Sequence, residues 1–122
     1  MKKSLISDAY KDERGEIYLN KIKGIEFVVS YTRAGAFRGG DYHSGKQYNL
    51  ILKGKFEITL RRNNKDVVKV YGPNELIVIP AGTPHLFKAI TDAVLIEWKT
   101  GSYKSQYYEP YRKIINEHLG KK

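Results

Sequence analysis

Short runs of β-branched and aromatic residues, cut at regular intervals by Gly, Pro and Asn, constrain this 122-residue chain more than any other feature. Ile25 to Thr32 is such a run, and side chains of these types fit a pleated sheet. Glu16 to Leu19 forms a shorter one after the turn signal Asp12-Glu13-Arg14-Gly15. Ala34-Gly35-Ala36 and Gly39-Gly40 interrupt the pattern and predict a flexible, close-packed corner. Tyr48 to Leu52 is mostly apolar on both faces and predicts a buried strand. Phe56, Ile58 and Leu60 alternate with Glu57, Thr59 and Arg61, the period-two pattern of a half-buried strand. Asn63-Asn64 marks a tight hairpin turn, because Asn tolerates positive φ, and Val67, Val68 and Val70 form the return strand. Leu76 to Ile79 follows the turn Gly72-Pro73-Asn74 and stops at Pro80. His85 to Ala89 and Val94 to Trp98 complete the series. Eight or nine short strands at this spacing predict an all-β sandwich or barrel.

Near the C-terminus the period changes. Pro110 suits the first helical turn, where its missing N–H is unpaired in any case. Tyr111, Ile114, Ile115, His118 and Leu119 then share one face, and Gly120 fits the C′ position. A short amphipathic helix packed on the barrel or on a neighbouring subunit is expected. No linker or internal repeat divides the chain. The expectation is one domain over residues 1–122, with the barrel at about 12–100 and the C-terminal segment and helix at about 101–120.

Composition excludes several classes. There are no cysteines, so disulfides, thiolate metal sites and cysteine nucleophiles are ruled out, which fits a cytoplasmic protein. No apolar run approaches the ~20 residues of a membrane-spanning helix. Residues 1–8 lack the apolar stretch of a secretory leader, and none is expected. The net charge is +9, from 22 basic and 13 acidic residues. The basic residues are scattered and never run beyond pairs such as Lys2-Lys3, Arg61-Arg62 and Lys121-Lys122. That distribution argues against a nucleic-acid tail and favours either small anionic partners or a solvated surface. Ten tyrosines are many for this length, and four fall between Tyr103 and Tyr111.

Two motifs bracket the central strands. The first is Arg38-Gly39-Gly40-Asp41-Tyr42-His43, then Gln47 and Gly54. The second is Gly72, then Pro80-Ala81-Gly82-Thr83-Pro84-His85. Together they resemble the signature of the cupin superfamily, G-x5-H-x-H-x(3–4)-E-x6-G followed by G-x5-P-x-G-x2-H-x3-N. Gly35, His43 and Gly54 fall on motif positions, Asp41 takes the first His position and Gln47 the Glu position. In the second motif Pro80, Gly82 and His85 match, Ala89 replaces Asn, and Gly72 to Pro80 is two residues longer. The resemblance covers roughly residues 12 to 112 and implies an antiparallel jelly-roll barrel.

Strand geometry supports the alignment. Residues i and i+2 point to one face, so Asp41 and His43 share a direction, and Gln47 and His85 can converge on them. Three readings of this cluster stand side by side. Two imidazoles, a carboxylate and an amide oxygen can ligate Fe(II), Mn or Zn, through Asp41, His43, Gln47 and His85. Without a metal, His43 can accept and return a proton near its ordinary pKa of ~6.5. Asp41 can then orient it, Tyr42 or Tyr48 can act as the acid, and Arg38 can grip a phosphate or sugar oxygen. The third reading is purely structural: a satisfied Asp41–His43 pair, with His85 in the core.

Asp12-Glu13-Arg14-Gly15, the Arg38 to His43 run and the Gly72 to His85 run resemble the cupins of nucleotide-sugar metabolism, the dTDP-4-keto-6-deoxyglucose ketoisomerases and related epimerase-like proteins. Asp12, Arg14, Gly15, Arg38, Gly39 and His43 match their pattern. Asp41 stands where they carry a His, and a carboxylate is the weaker base at its ordinary pKa of ~3.9. This resemblance implies metal-free proton transfer on a nucleotide-linked keto-sugar. His43, Asp41 and Tyr42 are the expected catalytic groups, and Arg14, Arg38, Gln47, Tyr48 and His85 the expected substrate contacts. No cofactor is favoured, with a divalent metal as the alternative and a non-catalytic sugar or anion binder as the third class. The expected partners are a small molecule and a second copy of the chain, its exposed strand edges being covered in a homodimer, with neither nucleic acid nor membrane. Trp98 is expected in the core or at an interface, Glu97 behind the site or at the surface, and His118 in solvent or near the helix C-terminus.

Overall fold

The computed structural model describes residues 6–100 and 104–120, with side chains from residue 9 onward. Tyr103, the first eight side chains and the terminal lysines at 121–122 lie outside the described residues. Among the described residues, eleven strands precede one helix: β1 (Ile6–Asp12), β2 (Gly15–Ile22), β3 (Ile25–Thr32), β4 (Phe37–His43), β5 (Lys46–Lys53), β6 (Phe56–Arg62), β7 (Lys65–Tyr71), β8 (Leu76–Ile79), β9 (His85–Ala89), β10 (Ala93–Thr100), β11 (Ser105–Tyr107) and α1 (Glu109–His118). They form two antiparallel sheets, ordered β1-β2-β3-β10-β5-β8 and β11-β4-β9-β6-β7. This is the jelly-roll barrel expected from the motifs.

Alternation along the strands divides the interior into two halves. Inward positions of β6 (Phe56, Ile58, Leu60) meet Ile51, Ile77, Ile79, Phe87 and Leu95 in one apolar cluster. Burying each of these large side chains contributes on the order of 1.5–3 kcal/mol. Moving along the same inward faces, the residues turn polar: Ser30, Thr32, Arg38, His43, Gln47, Asn49 and His85 are all buried. One half of the barrel is thus an apolar plug and the other a polar mouth.

The structure differs from the sequence expectation at Gly39-Gly40, which do not form a corner. β4 runs through both, with φ of 90° and 78°, and its register against β9 shifts between Gly39 and Asp41. Only glycine accepts such angles without strain, so the pair forms a β-bulge inside the strand. A Cβ on Gly40 would lie 2.8 Å from Arg112 Cδ and 2.9 Å from Ile115 Cδ1, so this bulge is also where α1 seats. Strands β1 and β11 were not anticipated. β1 is an edge strand whose Tyr10 is exposed, and β11 is only three residues, so neither carries a strong period-two signal.

Helix α1 packs Tyr111 and Ile115 on Leu86, with Phe37, Tyr108 and Leu119 around them. Ile114, expected on that face, is largely exposed, while His118 meets Phe37 edge-on at 5.2 Å. Gly120 takes φ 74° just past the helix, as the C′ reading requires. The Tyr111 hydroxyl donates to Asp66 on β7 and ties the helix to the far edge of the sheet. No helix among the described residues is long and apolar enough to cross a membrane.

Gly40→Ala is expected to lower unfolding free energy by about 2–3 kcal/mol, combining positive φ with a clash against α1. Gly24→Ala shares the φ penalty but meets nothing within 4 Å, so its loss in urea unfolding should be clearly smaller. Equal losses would show that helix seating does not depend on the missing Cβ.

Candidate active site

The polar mouth opens into a pocket of about 280 Å³ between the two sheets. Asp41 lies opposite His85 in the β4–β9 register, and His43 follows two residues later on the same face. Asp41 Oδ1 is 3.1 Å from His85 Nε2 and 3.7 Å from His43 Nε2, while Oδ2 accepts from the Ser105 hydroxyl at 3.1 Å. One carboxylate therefore faces groups from β4, β9 and β11. Gly39 makes room for this: a Cβ there would lie 3.0 Å from the His85 carbonyl oxygen and 3.3 Å from its ring.

The two imidazoles are inequivalent. His85 Nδ1 is 3.0 Å from the Thr83 carbonyl oxygen, which can only accept, so that nitrogen carries a proton. Its Nε2 faces a second acceptor, Asp41. The ring therefore either carries a proton on Nε2 too, making a charged pair, or presents the Nε2 lone pair to a cation shared with the carboxylate. Burial pushes the Asp41 carboxyl up, but the hydrogen bond and charge of His85, the charge of His43 and the Ser105 hydroxyl outweigh it and hold Asp41 below its ordinary 3.8. Burial is also the main influence on His43. With the positive charges of His85 and Lys99 it outweighs Asp41 and Glu97, and lowers the ring below its ordinary 6.5. At neutral pH His43 is thus an uncharged imidazole beside an ionised carboxylate.

Gln47 is fully enclosed. Its Nε2 donates to Asn49 Oδ1 at 3.1 Å and to Glu97 Oε1 at 2.9 Å, which fixes the amide orientation. Its Oε1 and Asn49 Nδ2 are buried with no hydrogen-bond partner among the described residues. Lys99 Nζ sits 2.9 Å from Glu97 Oε2. Asp41, His43 and His85 offer donor atoms all within 4.8 Å of one another and can hold a metal ion. Imidazole and carboxylate ligands suit a divalent transition metal, and the Nδ1 contact of His85 is the outer support such ligands require. The donor set fits.

Positive charge lines the pocket wall. Arg14, Arg38, Lys99 and Arg112 face it, against the carboxylates of Asp41 and Glu97. Arg38 is buried, its Nε donating to Thr32 Oγ1 at 3.2 Å. Burial, then the neighbouring Arg14 charge, lower it to about 10, with Asp12 opposing. Asp12 in turn accepts from Nε and Nη2 of Arg14 at 2.9 and 2.7 Å. Arg112 reaches back from α1 to the Gly39 carbonyl oxygen at 3.3 Å and lies over the Tyr107 ring.

Of the residues singled out from the sequence, Arg14, Arg38, Asp41, His43, Gln47 and His85 converge on this pocket. Tyr42 and Tyr48 do not. Tyr42 donates to Gln106, and Tyr48 stacks on Trp98 with rings 5.6 Å apart. The reason is the same period of two that aims their neighbours inward, since Tyr42 lies between Asp41 and His43 and Tyr48 between Gln47 and Asn49. Lys99, Ser105 and Arg112 were not anticipated. Lys99 was legible as the next inward position after Leu95 and Glu97, whereas Ser105 reaches the site through pairing of β11 with β4 and Arg112 through the seating of α1 against Gly40.

A family model for the cupin domain matches residues 31–98, which hold both motifs. The chain is a cupin. Solved structures that share its fold include the capsular polysaccharide assembling protein CapF from Staphylococcus aureus, 24% identical over 81% of this chain and 31% of that one, with a TM-score of 0.67. Pumpkin seed globulin aligns at 12% identity over 84% of this cupin and 35% of its own chain, with a TM-score of 0.73. A Bacillus subtilis oxalate decarboxylase variant aligns at 15% over 94% and 35%, with a TM-score of 0.71. The chain spans about a third of the length of these proteins. No curated protein sequence matches it significantly.

The two shifts make stability fall on acidification. Both folded-state pKa values lie below the unfolded ones, so each contribution is complete above the unfolded value and lost as pH falls through the folded one. Tm is expected to decline first below about pH 6.5, from His43, and again below about 3.8, from Asp41. Asp41→Asn should reduce the second decline, to which Asp12, Glu16 and Asp66 also contribute, and Ser105→Ala should shrink it. An unchanged acid limb in Asp41→Asn would show that this carboxylate is not held down in the folded state.

Proposed function

We propose that this cupin binds a nucleotide-linked keto-sugar in the inter-sheet pocket and moves a proton at a carbon beside the carbonyl group. The observation that carries the reading is the Asp41–His43–His85 cluster on the floor of a pocket walled by four cationic side chains. A neutral, buried imidazole is a competent base near pH 7. His43 takes the proton from carbon, and the charge left on the sugar oxygen meets the positive field of the pocket. Asp41, 3.7 Å away, steadies the imidazolium until the proton is returned. Arg14, Arg38 and Arg112 suit a diphosphate, since planar guanidinium forks match its oxygens. Gln47 Oε1, held in place and without a hydrogen-bond partner among the described residues, suits a sugar hydroxyl. The fold likeness to a capsular polysaccharide assembling protein is consistent with a carbohydrate ligand.

A second reading is favoured by the donor atoms of Asp41, His43 and His85 lying within 4.8 Å of one another and by His85, whose Nδ1 is spent on Thr83 so that Nε2 faces Asp41. Asp41, His43 and His85 would then hold a divalent metal, which polarises a carbonyl or hydroxyl oxygen when bound. In that arrangement Gln47 and Glu97 fix the surrounding side chains, and the arginines keep their anion-binding role.

The test is loss of the carbon-bound proton signal when dTDP- and UDP-linked 4-keto-6-deoxy sugars are incubated with the protein in D2O and followed by NMR. Exchange is expected, and His43→Gln should slow it by about 10²–10⁴, while Arg38→Met should mainly raise the substrate concentration required. Exchange that survives chelation supports proton transfer by the side chains alone. Exchange that stops with chelator and returns with Mn, Fe or Zn supports the metal reading. Absence of exchange before and after metal addition overturns the proposed reaction.

A further inference from the structure

Helix α1 brings Arg112 to the pocket, yet its first turn has little of its own to hold it. A helix of 10 residues is marginal in isolation and owes its place to tertiary contacts. The N-cap residue, Tyr108, makes no side-chain capping hydrogen bond, and Pro110, Tyr111 and Arg112 follow directly. Arg112 itself is weakly fixed, by a 3.3 Å bond to the Gly39 carbonyl oxygen and by the Tyr107 ring 4.5 Å below its guanidinium. Its neighbour Tyr111 is the opposite case. That residue is 3% exposed, its ring meets Tyr108 edge-on at 4.8 Å, and its hydroxyl donates to Asp66. Asp66 lies on β7, three positions from β4 in the sheet order, or roughly 14 Å at ~4.8 Å per strand. Arg61 holds Asp66 in turn at 3.1 Å. The helix is thus fastened at two separate places. On β4, Ile115 seats at the Gly40 bulge and the Tyr108 N–H donates to the Gly40 carbonyl oxygen at 2.9 Å. On β7, the tie is Tyr111 to Asp66.

We propose that the Asp66–Tyr111 pair positions Arg112 and so sets the affinity of the pocket for phosphate oxygens, although neither residue lines that pocket. Packing of Ile115 and Tyr111 on Leu86 sets the distance between helix and sheet, but it is non-directional and tolerates rotation about the helix axis. A hydrogen bond from a buried hydroxyl to a carboxylate is directional and removes that freedom. Arg112 follows Tyr111 in the chain, so a helix turned about its axis carries the guanidinium away from the mouth. Donor and acceptor both persist around neutral pH. Burial first, and Asp66 second, push the Tyr111 hydroxyl well above its ordinary 10. The Tyr111 hydrogen bond, aided by Arg61, holds Asp66 below its ordinary 3.8 against burial. The inference rests on the anion-binding part of the proposed function and is independent of the proton transfer.

Calorimetric titration of the full chain with inorganic pyrophosphate at low salt reads the effect directly. Arg112→Met is expected to weaken binding about 10-fold. Tyr111→Phe keeps the ring and loses only the hydroxyl, and Asp66→Ala changes an exposed site on β7. Each should weaken binding roughly 3–10-fold, whereas Asp66→Asn, which keeps an acceptor oxygen, should stay near the wild type. In Tyr111→Phe/Arg112→Met the loss should be no greater than in Arg112→Met alone, a non-additivity that a purely structural role does not produce. Far-UV circular dichroism identifies the folded variants. Unchanged affinity in Arg112→Met or in folded Asp66→Ala, or losses that multiply in the double variant, overturns the inference and leaves the pocket an anion site. Absence of pyrophosphate binding by the wild type overturns it together with the anion-binding reading.

Discussion

The carboxylate of Asp41 faces groups from three strands: His43 on its own strand, His85 on β9, and Ser105 on β11. Each of those groups depends on it. His85 has spent one ring nitrogen on Thr83, and Asp41 meets the other at 3.1 Å. The three-residue strand β11 is tied to β4 by its ladder and by side chains, the Ser105 hydroxyl donating to Asp41 and the Tyr42 hydroxyl to Gln106. Replacing the family's first histidine by aspartate therefore does more than lower the basicity of one position. It puts a negative charge between two imidazoles and turns a row of three bases into an ionised carboxylate with a neutral and a hydrogen-bonded partner.

That carboxylate can sit there only because β4 is built irregularly. The Gly39–Gly40 bulge shifts the register so that Asp41 falls opposite His85, and it removes the two Cβ atoms that would strike the His85 ring on one side and α1 on the other. A single local device thus aligns the site, admits the helix and brings Arg112 to the pocket. Its position in the strand, next to the chemistry, is where bulges concentrate in barrels.

Period two and the motif spacing were enough to place Asp41, His43, Gln47 and His85 on common inward faces, because strand geometry is local and rigid. The same rule, applied one residue over, sends Tyr42 and Tyr48 outward, to Gln106 and Trp98. What local pattern could not carry was the long-range closure. Ser105 and Arg112 are 64 and 73 residues from their contacts at Asp41 and Gly39, and nothing in their immediate sequence records that distance. Gly39-Gly40 was ambiguous for a related reason. A glycine pair marks a backbone requirement, but whether that requirement is a corner or a bulge depends on the strand and helix packed against it.

The barrel divides its labour along its length. The plug of Phe56, Ile58, Ile77 and Phe87 is the kind of close-packed apolar half that sets stability. The mouth works against stability, since it buries two amide atoms, Gln47 Oε1 and Asn49 Nδ2, with no partner in the described chain, each costing about 1–3 kcal/mol, and it buries Arg38 beside Arg14, so that burial first and the Arg14 charge second lower the arginine to about 10. An apolar mouth would relieve both costs without changing the fold. Polar groups kept at such expense, inward-facing and held by Asn49, Glu97 and Thr32, are what preorganised ligand contacts require. The strain is therefore concentrated in the pocket, where a bound anion and a hydroxyl donor would remove it.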